Sequence, residues 1–93
     1  MYKISIYREY YHKNNHKNNT YTYQCLLDDR EIIFDDLEKA TDFFNDYELT
    51  LDSQFSSLYA DYIVLYEIDT NNNVINEITS SSCDLSDFNI IGY

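Results

Sequence analysis

The sequence predicts an α+β domain: a small two-layer fold in which an antiparallel sheet carries one main helix on one face. The expected order is ββαββ with a further C-terminal strand. Two alternating stretches near the N-terminus, one capped amphipathic segment, and a second alternating pair around an asparagine-rich turn lead to it. The chain has 93 residues, which is enough for a single domain over 1–93.

Tyr2 to Tyr10 opens the pattern. Tyr2, Ile4 and Ile6 fall on one face and Lys3, Ser5 and Tyr7 on the other, as in a half-buried strand. Tyr10 to Asn19 contains a tandem HKNN and reads as a polar loop. Thr20 to Leu27 alternates again, with Tyr21, Tyr23, Cys25 and Leu27 against Thr22, Gln24 and Leu26, so the first two strands form a hairpin. Asp28 to Arg30 reads as a turn, and Glu31 to Phe34 as a short extension or a third small strand.

The clearest helix follows over about Asp36 to Tyr47. Asp35 is positioned to cap it, and Glu38 completes a capping box. Leu37, Ala40, Phe43, Phe44 and Tyr47 recur at helical spacing and make the inward face. Leu49 to Leu58 fits either a second short helix on Leu51, Phe55, Leu58 and Tyr59 with Thr50 as its cap, or a packed loop. Tyr59 to Asp69 is apolar on both faces through Tyr62, Ile63, Val64, Leu65 and Tyr66, which marks a central strand. Thr70 to Asn73 turns the chain and Val74 to Thr79 returns it. Leu85, Phe88, Ile90, Ile91 and Tyr93 give the tail enough apolar surface to end in a strand on the sheet edge.

Charge is the strongest functional signal. The chain carries 6 Lys and Arg against 17 Asp and Glu, a net charge of −11. Residues 1–27 hold Lys3, Arg8, Lys13 and Lys17 against Glu9 alone, a net of +3; residues 28–93 hold sixteen carboxylates against Arg30 and Lys39, a net of −14. From Ala40 onward there is no basic side chain. Such a field opposes direct binding to nucleic acid and speeds encounter with a basic partner. No stretch approaches the roughly 18 apolar residues of a membrane helix, and no basic segment leads into an apolar run. A cytoplasmic protein without membrane contact is expected. Cys25 and Cys83 are too few for a disulfide framework.

Catalytic patterns are missing. There is no nucleophile elbow and no HExxH, and Gly92, the one glycine, cannot build a phosphate loop. An enzyme is not expected, nor is a cofactor or metal. His12 and His16 stand four apart among lysines and asparagines and read as part of a solvated loop. Asp69 to Asn73 alternates like a calcium loop but lacks its central glycine, so it reads as a hairpin turn.

The helix carries the most informative constellation. Asp35, Glu38, Asp42 and Asp46 fall at i, i+3, i+7 and i+11, a carboxylate row opposite the apolar stripe. Successive members four apart rise about 6 Å along the axis. Like charges at that spacing cost a few tenths of a kcal/mol per pair. Glu48, Asp52, Asp61, Glu67, Asp69, Glu77, Asp84 and Asp87 extend the acidic surface. Among the 11 tyrosines, Tyr7, Tyr10, Tyr11, Tyr23 and Tyr59 are candidates for exposed, rigid contact area. The partner-binding set drawn from these is Asp35, Glu38, Asp42, Asp46, Glu48, Asp52, Tyr59 and Asp61.

In length, in its −14 block, in the Asp35-Glu38-Asp42-Asp46 row and in its hairpin–helix–hairpin order, the chain resembles the small acidic anti-CRISPR proteins that phages use to disarm host defence. The resemblance covers the whole chain at the level of class, with no shared motif. It implies a stoichiometric inhibitor that sits in a basic groove of a nucleic-acid-binding protein, such as a Cas nuclease or surveillance complex, by mimicking nucleic acid. The alternative is a structural, assembly or adaptor protein that self-associates as a homodimer or larger oligomer, with residues 1–27 of one copy against the acidic block of another.

Overall fold

The protein is described by a computed structural model over residues 1–14, 20–54 and 56–91. Its elements are β1 (Tyr2–Asn14), β2 (Thr20–Phe34), α1 (Leu37–Asp46), β3 (Leu51–Gln54), β4 (Ser57–Ile68), β5 (Val74–Ser82) and β6 (Ile90–Ile91). The strands share one sheet in the order β3-β4-β1-β2-β6, and β5 pairs with β4. All pairings are antiparallel except that of β6 with β2.

This sheet-dominated fold replaces the expected two-layer ββαββ domain. The helix has 10 residues, a length of about 15 Å, whereas the molecule is 49 Å long. It therefore covers one end of one face and cannot form a layer. The strands are longer than simple alternation suggested because bulges carry them past the places where the pattern breaks. Asp28 to Arg30 is not a turn. Tyr7 lies opposite Asp28 and Ile6 opposite Arg30, so Asp29 is an extra residue that lets β2 continue to Phe34. A second bulge at Gln24, between Tyr23 opposite Tyr11 and Cys25 opposite Tyr10, puts Leu26 on the same face as Tyr23. Tyr10 to Asn14, expected in a loop, extends β1. The rest of the HKNN segment, including His16 and Lys17, lies outside the described residues, as do Phe55, Gly92 and Tyr93.

Two further expectations change. Leu49 to Leu58 is neither helix nor packed loop, because Leu51–Gln54 forms β3 against the start of β4. The helix cap is Asp36 rather than Asp35, and its carboxylate accepts the backbone N–H of Glu38 at 3.0 Å. Leu37, expected to face inward, is exposed. The hairpin between β4 and β5 turns through Asn72 at φ 65°, a left-handed conformation that asparagine tolerates. Asp69 accepts two backbone N–H groups there, from Asn73 and Asn71. These bonds, that to Asn73 foremost, hold its carboxyl below the usual carboxylate range.

The core has two parts on opposite faces. Under α1, Ile4 and Ile6 of β1 meet Ile63 and Leu65 of β4 around Ala40, all at most 1% exposed. Ala40 is the small residue that lets the helix approach the sheet, and Phe34, Phe43, Phe44 and Tyr47 close the sides. At the other end and on the other face, Tyr11, Tyr21 and Leu58 are covered by Leu85, Phe88 and Ile90 of the C-terminal segment. Between them the helix-free face is roofed by its own side chains. Tyr7 stacks on Tyr62 at 4.9 Å and Lys3 lies over Tyr66 at 5.6 Å. Ser5 and Val64 are buried beneath this layer.

Candidate functional site

The sequence-derived site residues separate into two groups. Asp35, Glu38, Asp42, Asp46 and Glu48 are all exposed, on α1 or at its ends. Their placement follows from the helix itself. Ala40, Phe43 and Phe44 turn toward the sheet, so Glu38 and Asp42, one turn apart, are turned to water. Glu38 in the first turn complements the helix dipole, whereas Asp46 at the C-terminal end opposes it, and the last turn has no basic residue. Arg30 reaches this end from β2, its guanidinium 5.7 Å from the Tyr47 ring.

Asp52, Tyr59 and Asp61 behave differently. They lie on β3 and β4, on the helix-bearing face, and are tied into an internal network. Asp61 is 2% exposed. Its two carboxylate oxygens accept from Arg8 Nε at 2.7 Å and Nη2 at 3.3 Å. Oδ2 also accepts the backbone N–H of Thr50 at 3.2 Å. The Arg8 guanidinium stacks over Tyr59 at 4.5 Å. Burial first, and then the neighbouring Asp52, raise the Tyr59 phenol above its ordinary pKa. A charge-assisted, two-pronged pair of this kind fixes geometry. Asp61 therefore anchors β3 to the sheet and adds nothing to the displayed charge.

Four basic residues are also used internally, whereas Lys39 stands exposed on α1. Lys3 pairs with Glu31 at 3.6 Å and lies over Tyr66, Arg8 over Tyr59, Lys13 over Tyr21 and Arg30 over Tyr47. The positive N-terminal segment is thus largely folded onto tyrosine faces, which leaves the acidic helix unneutralised by it. Of the tyrosine candidates, Tyr11 is buried in the second core, and Tyr7, Tyr10, Tyr23 and Tyr59 are half-buried in ring contacts.

The sequence did not single out Glu9, which the structure places in the floor of a groove on the helix-free face. It is the one carboxylate of residues 1–27, and that isolation among lysines and tyrosines was the available signal. Cys25 is exposed and Cys83 half-buried, both as free thiols. Among the described residues, no group of three or more His, Cys, Asp or Glu side chains converges as a metal site, and no helix is long and apolar enough to cross a membrane.

No family model, curated protein or solved structure matches this chain.

Removing Arg8 leaves the Asp61 charge buried without its guanidinium. Arg8→Ala is expected to cost about 3 kcal/mol of unfolding free energy, measured by urea denaturation, while Glu38→Gln on the helix changes it by a few tenths at most. Equal effects of the two substitutions would contradict the division of the site.

Proposed function

We propose that the protein is an acidic inhibitory binding protein of the anti-CRISPR kind. It would act by presenting α1 to the basic groove of a nucleic-acid-binding nuclease complex in place of nucleic acid. The observation that carries this reading is the exposed row Glu38, Asp42 and Asp46, flanked by Asp35 and Glu48 and without a basic residue in the last helical turn. Carboxylates repeating along a rigid rod offer a basic groove the same sign of charge that a phosphate backbone does. The sheet holds that rod through Ala40 and the phenylalanines, so little ordering is needed on binding. The net charge of −11 adds long-range steering. Asp61 is not part of this surface, and Asp52 and Tyr59 belong to its structural border.

Immobilised protein should retain a nucleic-acid-binding nuclease from a bacterial lysate that expresses one. Retention should fall with salt and be displaced by added DNA or RNA. Glu38→Lys, Asp42→Lys and Asp46→Lys together should weaken retention at least tenfold while the protein stays folded by circular dichroism. Full retention by this variant would remove the mimicry reading.

A second reading is favoured by a separate observation. All nine residues of β5 are exposed, and Val74, Ile75 and Ile78 present 51%, 61% and 40% of their surface. An edge strand of this kind can recruit another strand and build an assembly. The bulges at Ile75 and Ile78 interrupt it, but Thr79 to Ser82 runs in regular register. The head-to-tail contact expected from the basic segment finds little support, because Lys3, Arg8 and Lys13 already engage tyrosines. An assembly through β5 would survive high salt. A monomer in sedimentation at both low and high salt removes this reading.

A further inference from the structure

We propose that the groove on the helix-free face is a binding site for an alkylguanidinium group, the chemistry of an arginine side chain. The groove is open to solvent and has a volume of about 530 Å³ between Glu9 of β1, Tyr23 and Leu26 of β2, Tyr62 of β4 and Ser80 to Ser82 of β5. That is ample for one side chain and its hydrating waters.

Its chemistry selects for a cation. Among the described residues, Glu9 is the one acidic side chain of the lining. It is 7% exposed, and its Oε2 accepts a hydrogen bond from the Tyr11 hydroxyl at 2.8 Å. The described lining also holds the Tyr23 and Tyr62 phenols and, on this face of β5, Ser80 and Ser82, and Leu26 supplies an apolar wall. A carboxylate on the floor of a groove directs negative potential into it. Burial is the leading cause that raises the Tyr23 and Tyr62 phenols above their ordinary pKa, and the Glu9 charge raises both further. Both rings therefore stand within the field of this carboxylate.

The protein itself shows what this residue set does with a guanidinium. On the opposite face a buried carboxylate, Asp61, takes Arg8 in a two-pronged pair while the guanidinium lies flat over Tyr59. Glu9 with Tyr23 and Tyr62 repeats those residue types around an open volume. A guanidinium suits the groove better than an ammonium because it is planar, weakly hydrated and able to stack on a phenol while bonding a carboxylate. A divalent metal ion is disfavoured, since among the described residues one carboxylate with hydroxyls falls short of its oxygen-ligand needs. The Ser80 and Ser82 hydroxyls can accept the N–H groups that Glu9 does not reach.

This groove lies on the face away from α1, so it stands or falls independently of the helix. The guanidinium could belong to a free small molecule or to an arginine of a protein partner. Titration of the isotope-labelled full chain with arginine methyl ester, followed by amide and tyrosine-ring NMR shifts, tests the site. Saturable shifts are expected at Tyr23, Tyr62 and Ser80 to Ser82. They should weaken at least tenfold in Glu9→Gln and also in Ser82→Arg, which tethers a guanidinium beside the groove from an exposed edge position. Lysine methyl ester should bind several-fold more weakly. A capped Gly-Arg-Gly peptide that binds as well as the ester assigns the site to a protein partner; ester binding with the peptide excluded assigns it to a small guanidino compound. Shifts that follow α1 instead, or that persist unchanged in both variants, would overturn the proposal.

Discussion

Residues 2–12 of β1 run antiparallel against 57–67 of β4, from Tyr2 opposite Glu67 to His12 opposite Ser57, and both faces of the molecule are built on that pair. One side of it supplies Ile4, Ile6, Ile63 and Leu65 to the core beneath α1. The other side supplies Tyr11 and Leu58 to the core beneath the C-terminal segment. The alternation of a strand allows this directly, since neighbouring residues serve opposite faces. β2, β3 and β5 then attach to the outer edges of the same pair. A change that shifted its register by one residue would exchange both cores at once.

The charges follow from this frame. A sheet with one short helix leaves much of its second face without a covering element, and tyrosines with lysine stems fill that role. Lys3, Arg8 and Lys13 are held on tyrosine faces and on Asp61, so the cations near the helix are Lys39 on α1 itself and Arg30 over Tyr47 at its end. The acidic row, with more carboxylates than cations beside it, stands at one end of an elongated body. It is sustained by apolar contacts on the helix's other side and works against its own repulsion. On the reverse face, the same economy of tyrosines leaves Glu9 at the bottom of a groove. The two proposals call for the same sign of partner charge and differ in scale: a broad acidic surface on the helix, a small recess at Glu9.

Much of the local structure was legible from the residues. The central character of β4 follows from apolar residues on both of its faces, and the Asp69 to Asn73 turn from its side-chain chemistry. The helix is found within a residue of the expected ends, with Glu38, Asp42 and Asp46 on its exposed face. The architecture was not legible. Bulges at Gln24 and Asp29 break the alternation that reveals a strand, so β2 looked like a strand, a turn and a fragment. β3 is four residues, largely exposed, and held by backbone pairing with β4, which leaves no periodic signature. The burial of Asp61 depends on Arg8, 53 positions away in sequence, and the groove at Glu9 on four strands meeting. Neither kind of long-range convergence is encoded in local spacing.

The central claim is that the acidic row serves display and not folding. The most direct test is the unfolding free energy of Asp42→Asn with Asp46→Asn, measured by urea denaturation at low and at high salt. These two carboxylates repel one another and Asp46 opposes the helix dipole. At low salt the double variant should be more stable than the natural chain by a few tenths of a kcal/mol to about 1 kcal/mol. The difference should close as salt screens the row. A double variant that is less stable at low salt would show that the carboxylates hold the helix in place, and would contradict the proposal that they form a surface kept for a partner.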